Sequence, residues 1–570
     1  MNKHITPHAI ALAAAIVAAG PAAAFEPIEF GPGVKFESRI NFTYTLGQRI
    51  KDQDALLART AGINDGNNNF DKGALTSNRL SGLLDAKVSW EQYGFVYSGS
   101  IFYDNAYHGI NDNNPGNGLP GAGFNPNSVN RPPPFNEFTS QTEYYMGGYG
   151  RTLDAYAYGA FDLGEGSRAT VRLGRHVVNW GEALFFPGIA LAQGPFDGTK
   201  TGIPGTEIKD SVLPEDQISA AIEVTSRWTL LGHLQYSFHE TFAPTAGSYL
   251  STSDAVGQGA LCLGPWSKLP AVGGFAGFTG CSFGVRTPDT KPDNFGQWGI
   301  GTRYRVTDET EVGLYYLNYK DRTPLPVINA FTPGVPTPFP GVAQIGNGSY
   351  SVTYFDDVKL LGATYSTTLG MATVTGELSY KKDAPTLVNT VVNPATRATI
   401  PNPSRADITQ LNIGSFANLG NTPIARLTQL LGEISYVYVG AAEAIKAPGV
   451  SGLPPPNQAF FPASNARSFA TRQAVAAQAT LVLGYPGIFE GWDLTVPLSY
   501  SQQFRGRTIS GGVGGEGDAR YSLGATMVYG GNLSLGLTYL GYLGDADVSL
   551  RDFRPLTDRD AVSFVAKYSF

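Results

Sequence analysis

Charge is the first thing this chain lacks. Only 15% of its 570 residues are Asp, Glu, Lys or Arg, against about 25% in an average soluble domain. Long apolar runs are missing too: beyond residues 10–19, no stretch approaches the roughly 20 residues that a membrane-spanning helix needs. With a mean hydropathy of -0.11, a helical membrane protein is excluded. Cysteine is reduced to Cys262 and Cys281, and with no His or Cys cluster around them metal ligation has no support. An excess of positive charge is also absent: the formal charge is -7, a balance not built for nucleic acid.

What is abundant is Gly (70), Pro (38) and aromatic residues (12%), the makings of strands, tight turns and long loops. A membrane protein without hydrophobic helices must satisfy its backbone groups between strands, and a closed antiparallel β-barrel is the arrangement that does so in lipid. The competing class, a secreted all-β solenoid or sandwich, would show shorter loops or a repeat period. No such repeat is visible.

Both ends of the chain agree with export to the outer membrane of a Gram-negative bacterium. Lys3 precedes the apolar run at 10–19, followed by Gly20-Pro21 and Ala22-Ala23-Ala24, the layout of a signal peptide over 1–24 cut before Phe25. A membrane anchor is the other reading, but the run is too short to span, and no Cys follows the cleavage site to carry a lipid. Loss of Lys3 with the leader takes the formal charge from -7 to -8. At the other end Val562, Phe564, Ala566, Tyr568 and Phe570 fall on one face, and Ser563, Lys567 and Ser569 on the other, the period of a strand with one greasy side. A terminal Phe two residues after a Tyr resembles the sorting signature by which the barrel assembly machinery reads outer-membrane barrels. After export the cysteines meet an oxidising compartment, so a Cys262–Cys281 disulfide is expected, with two unpaired thiols as the alternative.

The same alternation predicts strands near 34–46, 79–91, 94–106, 152–162, 168–177, 217–224, 227–239, 294–306, 310–320, 357–368, 371–382, 405–416, 424–439, 469–484, 491–503, 518–529, 532–543 and 560–570. That is about 18, an even number as bacterial barrels have; the alternative is 16, if 405–416 and 424–439 are not strands. Tight connections (91–94, 163–167, 225–226, 307–309, 530–531) alternate with long ones (47–78, 107–151, 178–216, 240–293, 321–356, 440–468), as expected if short turns face the periplasm.

In the first strand Val34, Phe36, Ile40, Phe42, Tyr44 and Leu46 share one face, and Lys35, Glu37, Arg39, Asn41, Thr43 and Thr45 the other. A charge facing lipid costs about 2–4 kcal/mol at mid-membrane, so the charged face is the lumen. It then carries Lys35, Glu37, Arg39, Asp85, Lys87, Glu91, Arg172, Glu223, Arg303, Arg305, Glu377 and Lys381. Both signs are present, which argues against a simple ion filter. Each is either a structural ion-pair partner or a contributor to passage, and Arg303 with Arg305 is the best candidate for a positive patch.

The most individual segment is not a strand. After Val177 come Val178-Asn179-Trp180-Gly181-Glu182 and the apolar run Ala183-Leu184-Phe185-Phe186-Pro187-Gly188-Ile189-Ala190-Leu191. On the solvated side of a barrel this would be an exposed patch in need of burial, and the nearest burial site is the lumen. Residues 178–216 are therefore expected to fold inward as a plug. In one reading Asn179 and Glu182 bond neighbouring backbone and Trp180 packs beneath. In the other, Trp180, Phe185 and Phe186 form an apolar site at a constriction, with Asn179 and Glu182 orienting the polar end of a ligand.

The Val177-Val178-Asn179-Trp180-Gly181-Glu182 motif, the stretch Pro204-Gly205-Thr206-Glu207-Ile208-Lys209-Asp210 with Leu213-Pro214, and the overall length resemble the proteobacterial DUF1302 family, over most of the mature chain. The resemblance implies an outer-membrane barrel working beside an RND-type transporter and a LolB-like periplasmic protein. It implies traffic of a hydrophobic molecule or lipid, by association rather than by physics.

An enzymatic barrel needs a compact His with Ser or Asp at hydrogen-bonding distance. Of His108, His176, His233 and His239, His233 reads as an inward polar residue beside Gln235 and Ser237, and His176 as a structural partner of Asn179. No G-x-S-x-G elbow, metal-ligand spacing or phosphate loop appears. The polar runs at 111–116, 131–134 and 454–457 read as loops that either cap the pore mouth or stay disordered, without the spacing of a Ca²⁺ loop. The segment 25–33 is too short for the plug domain of a TonB-dependent transporter. The expectation is a single-domain barrel over 25–570, with no catalytic residue, metal or cofactor, passing a small hydrophobic or amphipathic molecule around an internal plug. Its rivals are a non-conducting surface protein and a lipid-modifying enzyme relying on His233 or His176.

Overall fold

Successive side chains of a strand point to opposite faces, and the computed structural model, which describes residues 27–113, 130–164, 166–269, 278–330, 348–509 and 511–570, turns the alternation into a barrel. Its strands are β1 Val34–Arg49, β2 Leu75–Trp90, β3 Tyr93–Asp104, β4 Gly148–Gly164, β5 Ser167–His176, β6 Glu215–Thr225, β7 Trp228–Gln235, β8 Gln297–Arg305 and β9 Thr310–Asn329, then β10 Ser349–Leu369, β11 Ala372–Asn393, β12 Ala398–Gly420, β13 Leu427–Ala442, β14 Gln473–Phe489, β15 Trp492–Arg505, β16 Ala519–Tyr529, β17 Leu533–Leu543 and β18 Ala561–Ser569. Each pairs antiparallel with its sequence neighbours. β18 returns to β1, from Asn41 opposite Ser569 to Arg49 opposite Ala561, and closes the sheet. The count is eighteen, which sets sixteen aside. The expected leader at 1–24 lies outside the described residues.

Phe42, Ile101, Leu173, Ile300, Leu361, Ile434 and Leu537 stand exposed on the outer face. At the short-turn end Trp90 meets Tyr93, Tyr93 meets Phe161, and Trp492 meets Tyr529, with ring centroids 5.0–6.1 Å apart. An apolar outer belt with an aromatic girdle, short turns at one end and long loops at the other is the architecture of an outer-membrane barrel. Phe570 sits at the periplasmic seam, where its N–H donates to the Ile40 carbonyl at 2.9 Å and its ring meets Phe42 edge-on.

Two corrections concern strand length. The loop expected at 321–356 is shorter, because β9 runs on to Asn329 and β10 begins at Ser349; likewise β11 and β12 extend to Asn393 and from Ala398. Prolines 326, 385, 401 and 403 lie within these extensions and stand in register with Val352, Arg405, Asn389 and Leu387. A proline removes one donor from a ladder rather than forbidding it, and here Ile328 and Val392 are buried in small apolar clusters with Tyr350 and with Val450 and Phe461. Conversely β7 stops at Gln235 and β8 starts at Gln297, short of the expected 239 and 294. Beyond Gln235 the chain is drawn inward, the Ser237 hydroxyl donating to Glu215 at 2.7 Å.

Cys262 and Cys281 are disulfide-bonded within the long β7–β8 connection. Loop closure of this size stabilises by about 3 kcal/mol. Cys281→Ser is therefore expected to speed proteolysis inside 236–296 while the barrel keeps its compact, heat-modifiable migration on a gel. Simultaneous loss of that migration would contradict a local role for the bond.

Candidate functional site in the lumen

Between β5 and β6 the segment 177–214 leaves the wall and lies against inward-facing residues on opposite sides of the barrel. Its first half is fastened to two buried wall carboxylates. On β11, Glu377 accepts the amides of Glu182 (3.0 Å) and Ala183 (3.3 Å) on one oxygen, and those of Gly188 and Ile189 (both 2.9 Å) on the other. On β13, Glu433 accepts the amides of Leu184, Phe185 (3.1 Å) and Phe186 (3.0 Å). The Phe186 carbonyl in turn accepts from Gln410 and Asn412 of β12, both at 2.7 Å. Charge-assisted bonds of this kind contribute about 1.5–3 kcal/mol each. The wrap depends on two glycines. Gly181 has φ +111 and a Cβ there would lie 2.3 Å from Glu377 Oε2, while one at Gly188 would lie 2.9 Å from Oε1, so only bare backbone fits around the carboxylate.

Trp180 anchors the entry. It is 5% exposed, its amide donates to Gln193 Oε1 at 2.7 Å, and its ring lies edge-on to His233 and nearly parallel to Tyr315. With Ile189 and Ala192 it joins an apolar layer of inward residues, Leu317, Leu360, Ile408 and Val437 among them, spread over β9–β14. This layer adds apolar wall residues to the charged ones expected on the inward face. Tyr315-Tyr316-Leu317 and Leu360-Leu361 are runs apolar on both faces, and that was the signal available. His233 accordingly does not face water: it packs under Trp180, with no hydrogen bond to either ring nitrogen among the described residues.

The second half reaches the facing wall. Glu207 accepts from Asn41 of β1 (2.8 Å) and Lys567 of β18 (2.6 Å). Lys209 lies 2.5 Å from Asp85 of β2 and 2.9 Å from Asp154 of β4. Arg151 of β4 bonds Asp197 and the Asp210 carbonyl. Lys200 is buried over the Phe102 ring at 3.3 Å, and that burial pushes its pKa well down. The segment's middle is pinned by Arg322 of β9, which donates to the Ala192 carbonyl, Glu215 and Gln235.

Of the residues read from the motif, Asn179 and Glu182 do not anchor the segment as side chains. Asn179 is exposed, with no side-chain hydrogen bond among the described residues; the anchors are Gln193, Glu377 and Glu433. Glu433 was missed, although Glu433-Ile434-Ser435-Tyr436 has the in-out pattern that marks it as inward. Phe186 is buried, Phe185 half-buried and Leu184 exposed.

Glu182 is half-buried. Burial raises its pKa above the ordinary 4.5, Arg303 opposes this, and Glu311 and Glu377 add to it. A carboxyl raised in the docked state stabilises docking fully when protonated and loses that contribution as pH rises through the raised value. Amides at 182–189 are thus expected to be better protected from exchange near pH 5 than at pH 7, and the trend should flatten in Glu182→Gln. An unchanged slope in that variant would assign the dependence elsewhere.

The other lumen charges divide. Lys35 pairs with Glu29 at 3.6 Å in an exposed position, Arg39 bonds Asn41, and Arg172 lies by the Tyr156 ring. Arg303 and Arg305 make no isolated positive patch, because Arg303 bonds the Tyr315 hydroxyl and lies 4.0 Å from Glu311.

His176 is held by the Gly174 carbonyl and Ser219 rather than by Asn179. Ser237, His239 and Glu215 do come together: the Ser237 hydroxyl donates to Glu215 and Asp216 and lies 3.5 Å from His239 Nδ1, which itself meets Glu215, while His239 Nε2 meets Arg175, so both ring nitrogens are already engaged by charged neighbours. Glu215, Asp216 and His239 could offer three metal ligands. Arg175 and Arg322 already bond these groups, and a further cation there would be repelled.

A family model described as "Protein of unknown function (DUF1302)" matches residues 5–570. No curated protein matches the chain. Among solved structures it is similar to OccAB1 of Acinetobacter baumannii (12% identity, 96% of this chain and 99% of that chain covered, TM-score 0.43). It is also similar to OccK2 (OpdF) of Pseudomonas aeruginosa in complex with glucuronate (10%, 94% and 98%, 0.41), and to the outer membrane channel DcaP of Acinetobacter baumannii (9%, 95% and 99%, 0.36).

Proposed function

The chain belongs to the DUF1302 family, and from its lumen geometry we propose that it is an outer-membrane channel in which residues 177–214 act as a plug, passing a small hydrophobic or amphipathic molecule along the side left free. The observation that carries this reading is the fastening of one segment to facing walls, by seven amides to Glu377 and Glu433 and by Glu207 and Lys209 to the side opposite. A loop tied in this way occupies cross-section without sealing it. The inward residues of β14–β17, such as Thr480, Ser499, Ser522, Thr526 and Thr538, remain part-exposed. Short neutral hydroxyls give width without a fixed charge, and Leu184 and Leu191 of the segment are exposed, which suits a solute with an apolar part that must bind weakly enough to leave. Passage needs no catalytic group. As partners we propose an RND-type transporter and a LolB-like periplasmic protein, meeting the short-turn end.

The test is release of trapped 8-anilinonaphthalene-1-sulfonate from phosphatidylethanolamine–phosphatidylglycerol vesicles containing the purified full chain. Release well above that of empty vesicles is expected. Equal release would leave the barrel an anchor.

A further inference from the structure

The upper rim of the wall is uneven, and one stretch of it is open. Residues 148–152 of β4 pair with Tyr103–Gly99 of β3. On its other side β4 is paired only from Ala155, opposite Arg175, because β5 ends at His176. Among the described residues no strand pairs with 148–153 on that side. β6, β7 and β8 stop short as well, and the wall rises again at β9, which pairs with β8 as far as Asn318, opposite Trp298, and runs on beyond it to Asn329.

The open edge begins inside the apolar belt. Gly150 stands in register with Ile101 and Gly148 with Tyr103, and both partners face outward, 64% and 54% exposed. Strand edges are not left bare in hydrocarbon, where each unmet backbone group costs several kcal/mol, unless protein covers them or they line a cavity. Here a cavity of about 770 Å³, counting its open mouth, runs along the edge and is lined by Tyr145, Tyr149, Leu213 and Phe242 together with Arg151 and Arg175. It touches both sides of the wall. Tyr149 and Arg151 reach inward to Asp197 of the crossing segment, and Leu213 packs with inward Leu83 and Leu153. Arg175, two residues past the exposed Leu173, lies on the outer side of β5. A second depression, of about 870 Å³ with its open side, lies on the lipid face among Phe42, Gly82, Leu84, Gly99 and Ile101, and it shares residues 150–152 with the first. Gly82, Gly99 and Gly150 leave the surface around Ile101 bare.

We propose that this gap is a lateral portal, through which a hydrocarbon chain passes between the lumen and the outer leaflet over Leu213 and Phe242. The apolar groove beside Ile101 receives the chain on the bilayer side. The proposal rests on the channel reading above and specifies its route: sideways into lipid rather than straight into water. No bond is made or broken. Desolvation is small, because the chain is never fully exposed to water between the two apolar surfaces.

The test uses the full chain in phosphatidylethanolamine–phosphatidylglycerol vesicles, with photoreactive p-benzoylphenylalanine replacing Phe242, outward Tyr103 or lumenal Tyr315 in turn. Mass spectrometry after irradiation is expected to find phospholipid adducts at positions 242 and 103 and none at 315. A chain labelled at 103 but not at 242 overturns the portal and leaves the channel reading standing. The second arm fills the groove with Gly150→Trp, where an added Cβ meets no atom closer than 3.5 Å. Release of anilinonaphthalene sulfonate should slow at least fivefold while ion conductance is kept. Undiminished release in that variant overturns the portal, and a chain that gives adducts at 242 yet releases no amphiphile contradicts the channel reading and the portal with it.

Discussion

Replacing Trp180 with Ala is expected to free the first half of the crossing segment without preventing barrel assembly. A buried aromatic ring cut back to a methyl costs about 3–5 kcal/mol, part transfer and part cavity. Trp180 has little room for collapse around it, since His233 and Tyr315 hold its two sides and belong to strands fixed on both edges by their ladders. The loss therefore falls on the segment. Closure of the sheet depends on the β18–β1 seam, which Trp180 does not touch. Heat-modifiable migration should stay as in the unaltered chain, while amides at 182–189 exchange about 10²–10³ times faster, the factor that 3–5 kcal/mol brings at its lower end. Trp180→Phe should recover most of the protection. Failure of the Ala variant to assemble would instead make Trp180 part of the folding core.

Removing Glu377 should have a larger effect, and here the conservative replacement is expected to fail too. In Glu377→Ala four amides lose their acceptor, and at about 1–3 kcal/mol per orphaned donor the docked segment loses about 4 kcal/mol or more. That shifts the docked-to-free ratio by about 10³. Glu377→Gln has nearly the same shape, but each carboxylate oxygen accepts two amides, so its NH₂ must face two N–H donors whichever way it turns. Limited proteolysis of folded barrels should cut within 182–189 in both variants and spare the unaltered chain. Resistance of the Gln variant would mean that shape, not charge, holds the loop.

The strands were legible because lipid enforces alternation: Val34 to Leu46 or Leu533 to Leu543 permit one inward face. Parity of turn length then ordered the whole ring. Strand ends were less legible, since above the membrane a strand persists wherever its inward residues find loops to pack on, as Ile328 and Val392 do in spite of the prolines near them. The site was half legible. An apolar run after Val177 pointed inward, and Glu377 was placed on the inner face. What joins them could not be read: the ligands of Glu377 and Glu433 are backbone amides, which every residue carries, so neither composition nor spacing marks them. Asn179 misled for the opposite reason, a distinctive side chain standing where the backbone around it does the fastening. The inward apolar layer over β9–β14 was hidden because runs such as Leu360-Leu361 carry no alternation to interpret.

The most direct measurement is single-channel conductance in planar bilayers of the unaltered chain against one with both Glu377 and Glu433 replaced by Ala. If residues 177–214 narrow a real channel, the unaltered barrel conducts in small steps and the double variant in steps several-fold larger, with heat-modifiable migration preserved in both. Identical conductance in the two, or silence from both, would contradict a plug held across the lumen by those carboxylates.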